Sequence, residues 1–451
     1  MTGDYEKRLG TEKMVPLVLK MSIPAVVAQL VNLLYSIVDR IYIGHIPGSG
    51  TNALAGIGVT SSVIILISAF AQFAGGGGAP LCAIALGQNN REKAQKILGN
   101  SFFLLIFFTV ITMIPIYAFM KPILGLIGAS ETTMPYAVSY LSVYLIGTVF
   151  VMIANGLNVF ITSQGRSDIA MISVLIGAVL NIALDPLFIF GFGMGVVGAA
   201  LATVISQAAG AVWILKFLLS DKASLKLSLK SLRPKKEIIM PILGLGISPF
   251  IMGSTESLIG FVLNGNLAPY GDIYVSTLTV LQSAMMVVSV PLNGFGQGVS
   301  PIISYNYGKN NAARVKEAYK VLFIGMFSFN FVLSMLMILF PRVVALVFTK
   351  DPVLIETVSK TLPVFMAGIT IFGLQRACQN TFVALGEAKI SLFIALLRKV
   401  FLLIPLAFIL PIFMGVMGVY TAEAVADAVA AICCMTIFII KFPKIIKKMD
   451  A

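Results

Sequence analysis

Asn181, Asp185 and Pro186 stand together in "NIALDPLFIFGFGMG" (181–195), a stretch that is otherwise almost wholly apolar. Four-residue spacing puts Asn181 and Asp185 on one face of a helix. An amide oxygen, a carboxylate and nearby hydroxyls form a hard-oxygen set, suited to Na⁺ or to a proton shared between carboxylates. Pro186 removes a backbone hydrogen bond, so a broken helix lining a cavity is expected here. The plainer alternative is a polar clamp between packed helices. A second acid, Asp39, lies in "LVNLLYSIVDRIYIG". Tyr35 and Asn32, four and seven positions earlier, share its helical face, and Arg40 beside it allows an ordinary helix-end charge pair. Two buried carboxylates brought close cannot both stay ionised without a cation, so such a pair responds to proton or sodium supply.

The elements that must position these groups follow from composition. The 451 residues are 58% hydrophobic and 11% charged, with mean hydropathy +0.97. A soluble domain carries about 25% charged residues. Apolar runs of roughly 18–25 residues with short polar connections describe a polytopic helical membrane protein. Twelve spans are expected, near 15–39, 53–82, 97–120, 134–162, 169–190 and 195–219. The second six lie near 238–263, 274–303, 318–340, 355–384, 390–411 and 415–440. The N-terminal "MTGDYEKRLGTEK" carries no signal-peptide pattern. Cys82, Cys378, Cys433 and Cys434 lie in apolar runs without metal-ligand spacing and read as small hydrophobes.

Charge placement gives the orientation. One alternating set of loops, with the termini, holds 24 of the 32 Lys and Arg, and the opposite set only Lys121, Arg342 and Lys350. That pattern predicts both termini in the cytoplasm and argues against a nucleic-acid face.

The halves resemble each other. "APLCAIALGQNN" (79–90) matches "SPIISYNYGKNN" (300–311), with Pro80 and Pro301, Gly87 and Gly308, and Asn89 and Asn310 each 221 residues apart. Gly165 and Gly386 keep the same offset. Six spans separate the copies, so the repeat is parallel, with lobes at 1–219 and 237–451 joined by a cytoplasmic linker at 220–236. Two lobes around a central cleft describe a transporter that binds its substrate between them and exposes the site to alternate sides.

Three further acids fall inside spans: Glu256, Glu423 and Asp427. A charge at the bilayer centre costs about 2.5–3.5 kcal/mol on insertion scales, so each needs a partner or a function. Glu423 and Asp427 are expected near span ends, reaching water or the cleft. Arg376, in "IFGLQRACQNTF", is the expected counter-charge of Glu256, either as a structural pair or as a substrate contact. Gln29, in the first span, is a further cleft candidate. "GGGG" (75–78) lacks the context of a phosphate loop and is expected to permit close helix packing or a kink. His45 is the only histidine, so no His-based triad or metal site is available and no catalytic residue is assigned.

Twelve spans in two parallel repeats, "YSIVDRIYIGH", "SQGRSD" and "NIALDPLFIFGFGMGVVGAALAT" resemble the multidrug and toxic compound extrusion (MATE) transporters, in particular their bacterial MepA/DinF-like branch. The resemblance covers essentially the whole chain. It implies a monomeric, multi-pass antiporter of a bacterial plasma membrane, exporting amphipathic, often cationic compounds against inward H⁺ or Na⁺, with no other cofactor. It implies a cation site of Asp39, Asn181 and Asp185 with Thr203 and Tyr35, and Asn158 as a fourth-helix cleft residue. One departure is visible. The sodium-coupled NorM-like branch pairs acids on helices seven and ten, whereas here Glu256 faces Arg376, Cys378 and Gln379, so coupling is placed in the N-terminal lobe. The alternatives are a lipid-linked precursor flippase, for which only Arg40, Arg376, Arg398 and Lys399 offer headgroup cations, and, more remotely, an intramembrane enzyme.

Overall fold

The computed structural model describes residues 4–449; residues 1–3 and 450–451, the outermost ends of the two expected lobes, lie outside the described residues. In hydrocarbon a chain must satisfy its backbone polar groups internally, and helices do so segment by segment. Six spans form the first half: α1 (Met14–Gly44), α2 (Gly50–Gly87), α3 (Arg91–Ala118), α4 (Met134–Ile146 with Thr148–Ser163), α5 (Ser167–Gly191) and α6 (Gly195–Leu219). The second half contains α7 (Lys236–Tyr270), α8 (Asp272–Gly308), α9 (Ala312–Leu339), α10 (Pro352–Ala384), α11 (Ala388–Met414) and α12 (Val416–Met449). The twelve agree with the expected spans, and several extend beyond their apolar cores. Polar ends stay helical where a cap supports them: Asn90 Oδ1 accepts from Lys93 N at 2.9 Å, and Asn311 Oδ1 from Arg314 N at 3.1 Å.

Two local expectations are corrected or sharpened. Pro186 does not break α5: the helix continues through a π turn at Leu187–Gly191, which absorbs the missing hydrogen bond without ending the span. A second π turn, Leu397–Leu403, interrupts α11 just before Pro405. The 75–78 glycines lie inside one unbroken helix and permit the close packing expected of them: a Cβ would lie 2.5 Å from the Gly156 carbonyl oxygen at Gly75 and 2.1 Å from that of Ile242 at Gly77. A 59° bend falls in α4 at Gly147, where a Cβ would lie 2.4 Å from a methyl of Val204.

The repeat is visible in the backbone. Asn89 and Asn310 both adopt positive φ (57° and 55°), as do Gly165 and Gly386 (80° and 76°). It is visible again where the halves meet. A Cβ on Gly87 would lie 2.0 Å from the carbonyl oxygen of Tyr305, and one on Gly308 would lie 2.0 Å from that of Ile84. Ile84 and Tyr305 correspond by the same offset, so the contact is reciprocal, as a pseudo-two-fold axis requires. Gly246 of α7 packs on Phe73 of α2 in the same close manner, and Gly294 of α8 on Val26 of α1. These contacts form one seam, α2 on α7 and α8 and α1 on α8, at the end of the bundle that carries the basic loops. Hydrogen bonds across it, Ser22 Oγ to the Phe295 carbonyl and Gln29 Nε2 to Gln297 Oε1, lie at the same end. Between the halves lies a cavity of about 670 Å³, lined by residues of both.

Candidate functional site

The N-terminal wall of the cavity is made by α1, α2, α4, α5 and α6. Asp39 comes from α1 and Asp185 from α5; both are buried, and their carboxyl groups lie within hydrogen-bonding reach of each other. Asn181, one turn before Asp185, donates through Nδ2 to Asp185 Oδ1 at 3.3 Å and to Thr203 Oγ1 of α6 at 3.4 Å. The α-helical spacing read from the sequence produces this geometry directly. Asp39 Oδ1, Asp185 Oδ2 and Asn181 Oδ1 are buried with no protein donor. A buried acceptor without a donor costs about 1–3 kcal/mol, more when charged. Unsatisfied oxygens on three neighbouring side chains, with the Thr203 hydroxyl at hand, suit a small oxygen-seeking cation or a bridging proton. Among the described residues no group of three or more His, Cys, Asp or Glu is placed to hold a metal ion. The hard-oxygen set therefore stands on two acids completed by an amide and a hydroxyl.

Tyr35 lies beside Asp39 and lines the cavity, and its hydroxyl meets the Gln207 side chain of α6. Sequence reasoning missed Gln207. It also missed Tyr140, a buried residue of α4 whose hydroxyl meets Thr203, and Tyr144, stacked on Tyr140 with ring centroids 6.1 Å apart. The i, i+4 tyrosine pair in "MPYAVSYLSVYLI" was the available signal. Asn158 lines the cavity but is not brought to the acids: its Nδ2 donates to the Ala170 carbonyl near the start of α5. Gln29 lines the cavity where the two halves meet.

The C-terminal wall departs from expectation. Glu256 lines the cavity, but its partner is Lys399 of α11, whose Nζ lies 2.6 Å from Oε1, not Arg376. Lys399 also donates to the Met252 carbonyl at 2.9 Å. Glu423 and Asp427 do not reach water at span ends: both are buried in α12 around one guanidinium, Arg398, at 3.2 and 2.5 Å. The π turn explains the change. It carries adjacent Arg398 and Lys399, and both are buried against different partners. Arg376 lines the cavity, its Nη1 2.9 Å from Asn293 Oδ1, with its guanidinium over the Phe372 ring at 4.9 Å. Of the four cations offered for a headgroup, only Arg376 lines the cavity.

This arrangement couples an orphaned carboxylate pair to a drug-sized cavity between two repeats. The MatE family model matches the chain twice, over residues 24–187 and 250–409, once in each repeat. The chain belongs to the MatE family. Among curated MatE relatives, the multidrug export protein MepA of Staphylococcus aureus is 27% identical over 418 residues, covering 92% of this chain and 91% of its own. MepA of Staphylococcus haemolyticus is 26% identical over 416 residues, with the same shares covered. Among solved structures, a MATE protein in a bent conformation superposes with TM-score 0.92 at 24% identity, covering 100% of both chains. A multidrug resistance MATE transporter in an outward-facing conformation gives TM-score 0.91 at 24% identity, covering 99% of each chain. The twelve-helix fold is thus shared along the whole chain.

Proposed function

We propose that this MatE protein is a secondary antiporter that exports amphipathic, often cationic compounds in exchange for H⁺ or Na⁺. The observation that carries the proposal is the Asp39–Asp185 pair, buried beside the cavity with oxygens that no protein group satisfies. The coupling cation binds there, with Asn181 and Thr203 as neutral ligands and Tyr35 at the cavity edge. The MepA relatives, named as multidrug export proteins, support the substrate class.

The exchange follows from charge. With the cation gone, two adjacent carboxylates repel and attract a positively charged compound in the cavity. With the cation bound, that attraction is lost and the compound leaves. Both ligands act on one anionic pair, so each weakens the other's binding by the same factor. We read the basic loops, and with them the seam and both termini, as cytoplasmic; the cavity then opens outward, where drug is released and the cation enters. Release of the glycine seam then opens the cytoplasmic side, each half moving as a lobe of a monomer in the bacterial plasma membrane.

Fluorescent-dye efflux from proteoliposomes, with Na⁺ and pH gradients imposed separately, tests the proposal. At least one inward gradient drives dye outward and its collapse stops the flow. Transport that ignores both gradients contradicts it. A flippase reading has less support, because Arg398 and Lys399 are each paired with acids and Arg40 does not line the cavity, leaving Arg376 alone to meet a headgroup.

A further inference from the structure

Among the described residues, two charged side chains line the cavity, Glu256 and Arg376, and they differ in what holds them. Glu256 is committed to the Lys399 ammonium at 2.6 Å. Glu423 and Asp427 are both committed to Arg398. Among the described residues Arg376 makes no ion pair within 4.0 Å: its one hydrogen bond there is to the neutral amide of Asn293, and its Nε is buried without a partner. The guanidinium lies in the field of Glu256 and Asp427, whose salt bridges go elsewhere. It also lies in the field of Arg398, and both guanidinium groups pack on the Phe372 ring, 4.9 Å from its centroid for Arg376 and 4.3 Å for Arg398. A desolvated guanidinium with a second cation nearby gains most from an anion that meets its planar donor face.

We propose that Arg376 is a specificity-determining residue that binds the carboxylate of zwitterionic amphiphiles, while their cationic end lies toward Asp39 and Asp185 on the opposite wall. The cavity is then bipolar, with the two half-repeats supplying opposite charges. The stacked ring and the Asn293 amide hold the guanidinium plane fixed, leaving the donors not engaged by Asn293 for the ligand. This deepens the drug-export reading and rests on it.

Rhodamine B and its ethyl ester test the proposal, since they carry the same xanthylium cation with and without a free carboxylate. Binding of each to the purified full-length protein in detergent is followed by fluorescence polarisation. The wild type binds both, and R376Q weakens rhodamine B by about ten-fold or more while leaving the ester within about two-fold, as expected for loss of a charge-assisted contact. R376K, which keeps the charge without the planar fork, falls between. Retained ester binding shows that each variant is folded. If R376Q binds neither dye, R376K decides: loss confined to rhodamine B supports the proposal, and equal loss of both dyes overturns it. Equal partial weakening of the two dyes in R376Q, or no effect on either, also overturns it while leaving the drug-export reading intact. Failure of the wild type to bind either dye overturns both.

Discussion

The carboxyl groups of Asp39 on α1 and Asp185 on α5 meet within hydrogen-bonding reach, and one oxygen of each has no protein donor. The pair links the first span to the fifth, so whatever neutralises it also sets how those two helices lie against each other. Neutralising either acid by substitution removes the charge and keeps the shape. D39N and D185N are therefore predicted to reach the membrane in normal amounts but to lose gradient-driven dye efflux by at least about ten-fold, given that one charge in a desolvated site is worth several kcal/mol. Immunoblots of membranes and proteoliposome efflux check the two parts.

The neutral ligands contribute less. Thr203→Ala and Tyr140→Phe each remove one neutral hydrogen bond of the cluster. The loss is about 1 kcal/mol, or roughly five-fold in cation affinity. The cation concentration giving half-maximal efflux rises by that factor in each variant. An unchanged value would place Thr203 and Tyr140 outside the site.

The glycine seam is predicted to control which side is closed. A Cβ at position 246 would sit 1.9 Å from the Phe73 carbonyl oxygen, so Gly246→Ala forces the α2 and α7 backbones apart in the closed arrangement. Overpacking of this kind costs about 1–3 kcal/mol, enough to shift a two-state equilibrium by roughly five- to 150-fold. Spin labels on loops 88–90 and 309–311 should show a longer distance gaining population in Gly246→Ala. An unaltered distance distribution would mean that the seam does not gate.

Arg398 and Lys399 are neighbours with different burdens. Arg398→Met leaves Glu423 and Asp427 buried together without their cation, a loss of about 3–5 kcal/mol by analogy with broken buried pairs. Lys399→Met strands only Glu256, whose side chain is 54% exposed to the cavity and can be hydrated. Thermal melting in detergent is predicted to fall sharply for the first and mildly for the second. The reverse order would contradict the pairing.

The spans, the repeat and the N-terminal acids were legible because a bilayer penalises polarity so strongly that Asp39, Asp185 and Asn181 stand out, and helical spacing then puts Asn181 and Asp185 together. The C-terminal pairing was not legible. Which cation meets Glu256 depends on how α11 turns, and the π turn at Leu397–Leu403 breaks the regular 3.6-residue phase on which face assignments rest. Arg376 was the nearer candidate by motif, and packing gave the contact to Lys399. Glu423 and Asp427 were misplaced at span ends because nothing in the sequence shows that Arg398 of α11 packs against both and keeps them buried inside the bundle. Tyr140 and Gln207 carry no charge and leave little trace in an apolar sequence.

The central claim is that drug and coupling cation exchange at the Asp39–Asp185 pair. Cation release on drug binding tests it most directly, with purified protein titrated with dye while bound ²²Na⁺ and proton release into weakly buffered medium are followed. The wild type is predicted to release close to one Na⁺ or one proton for each dye bound, and D39N and D185N to release none. Dye binding to the wild type with no release of either cation, or undiminished release from the variants, would contradict the account.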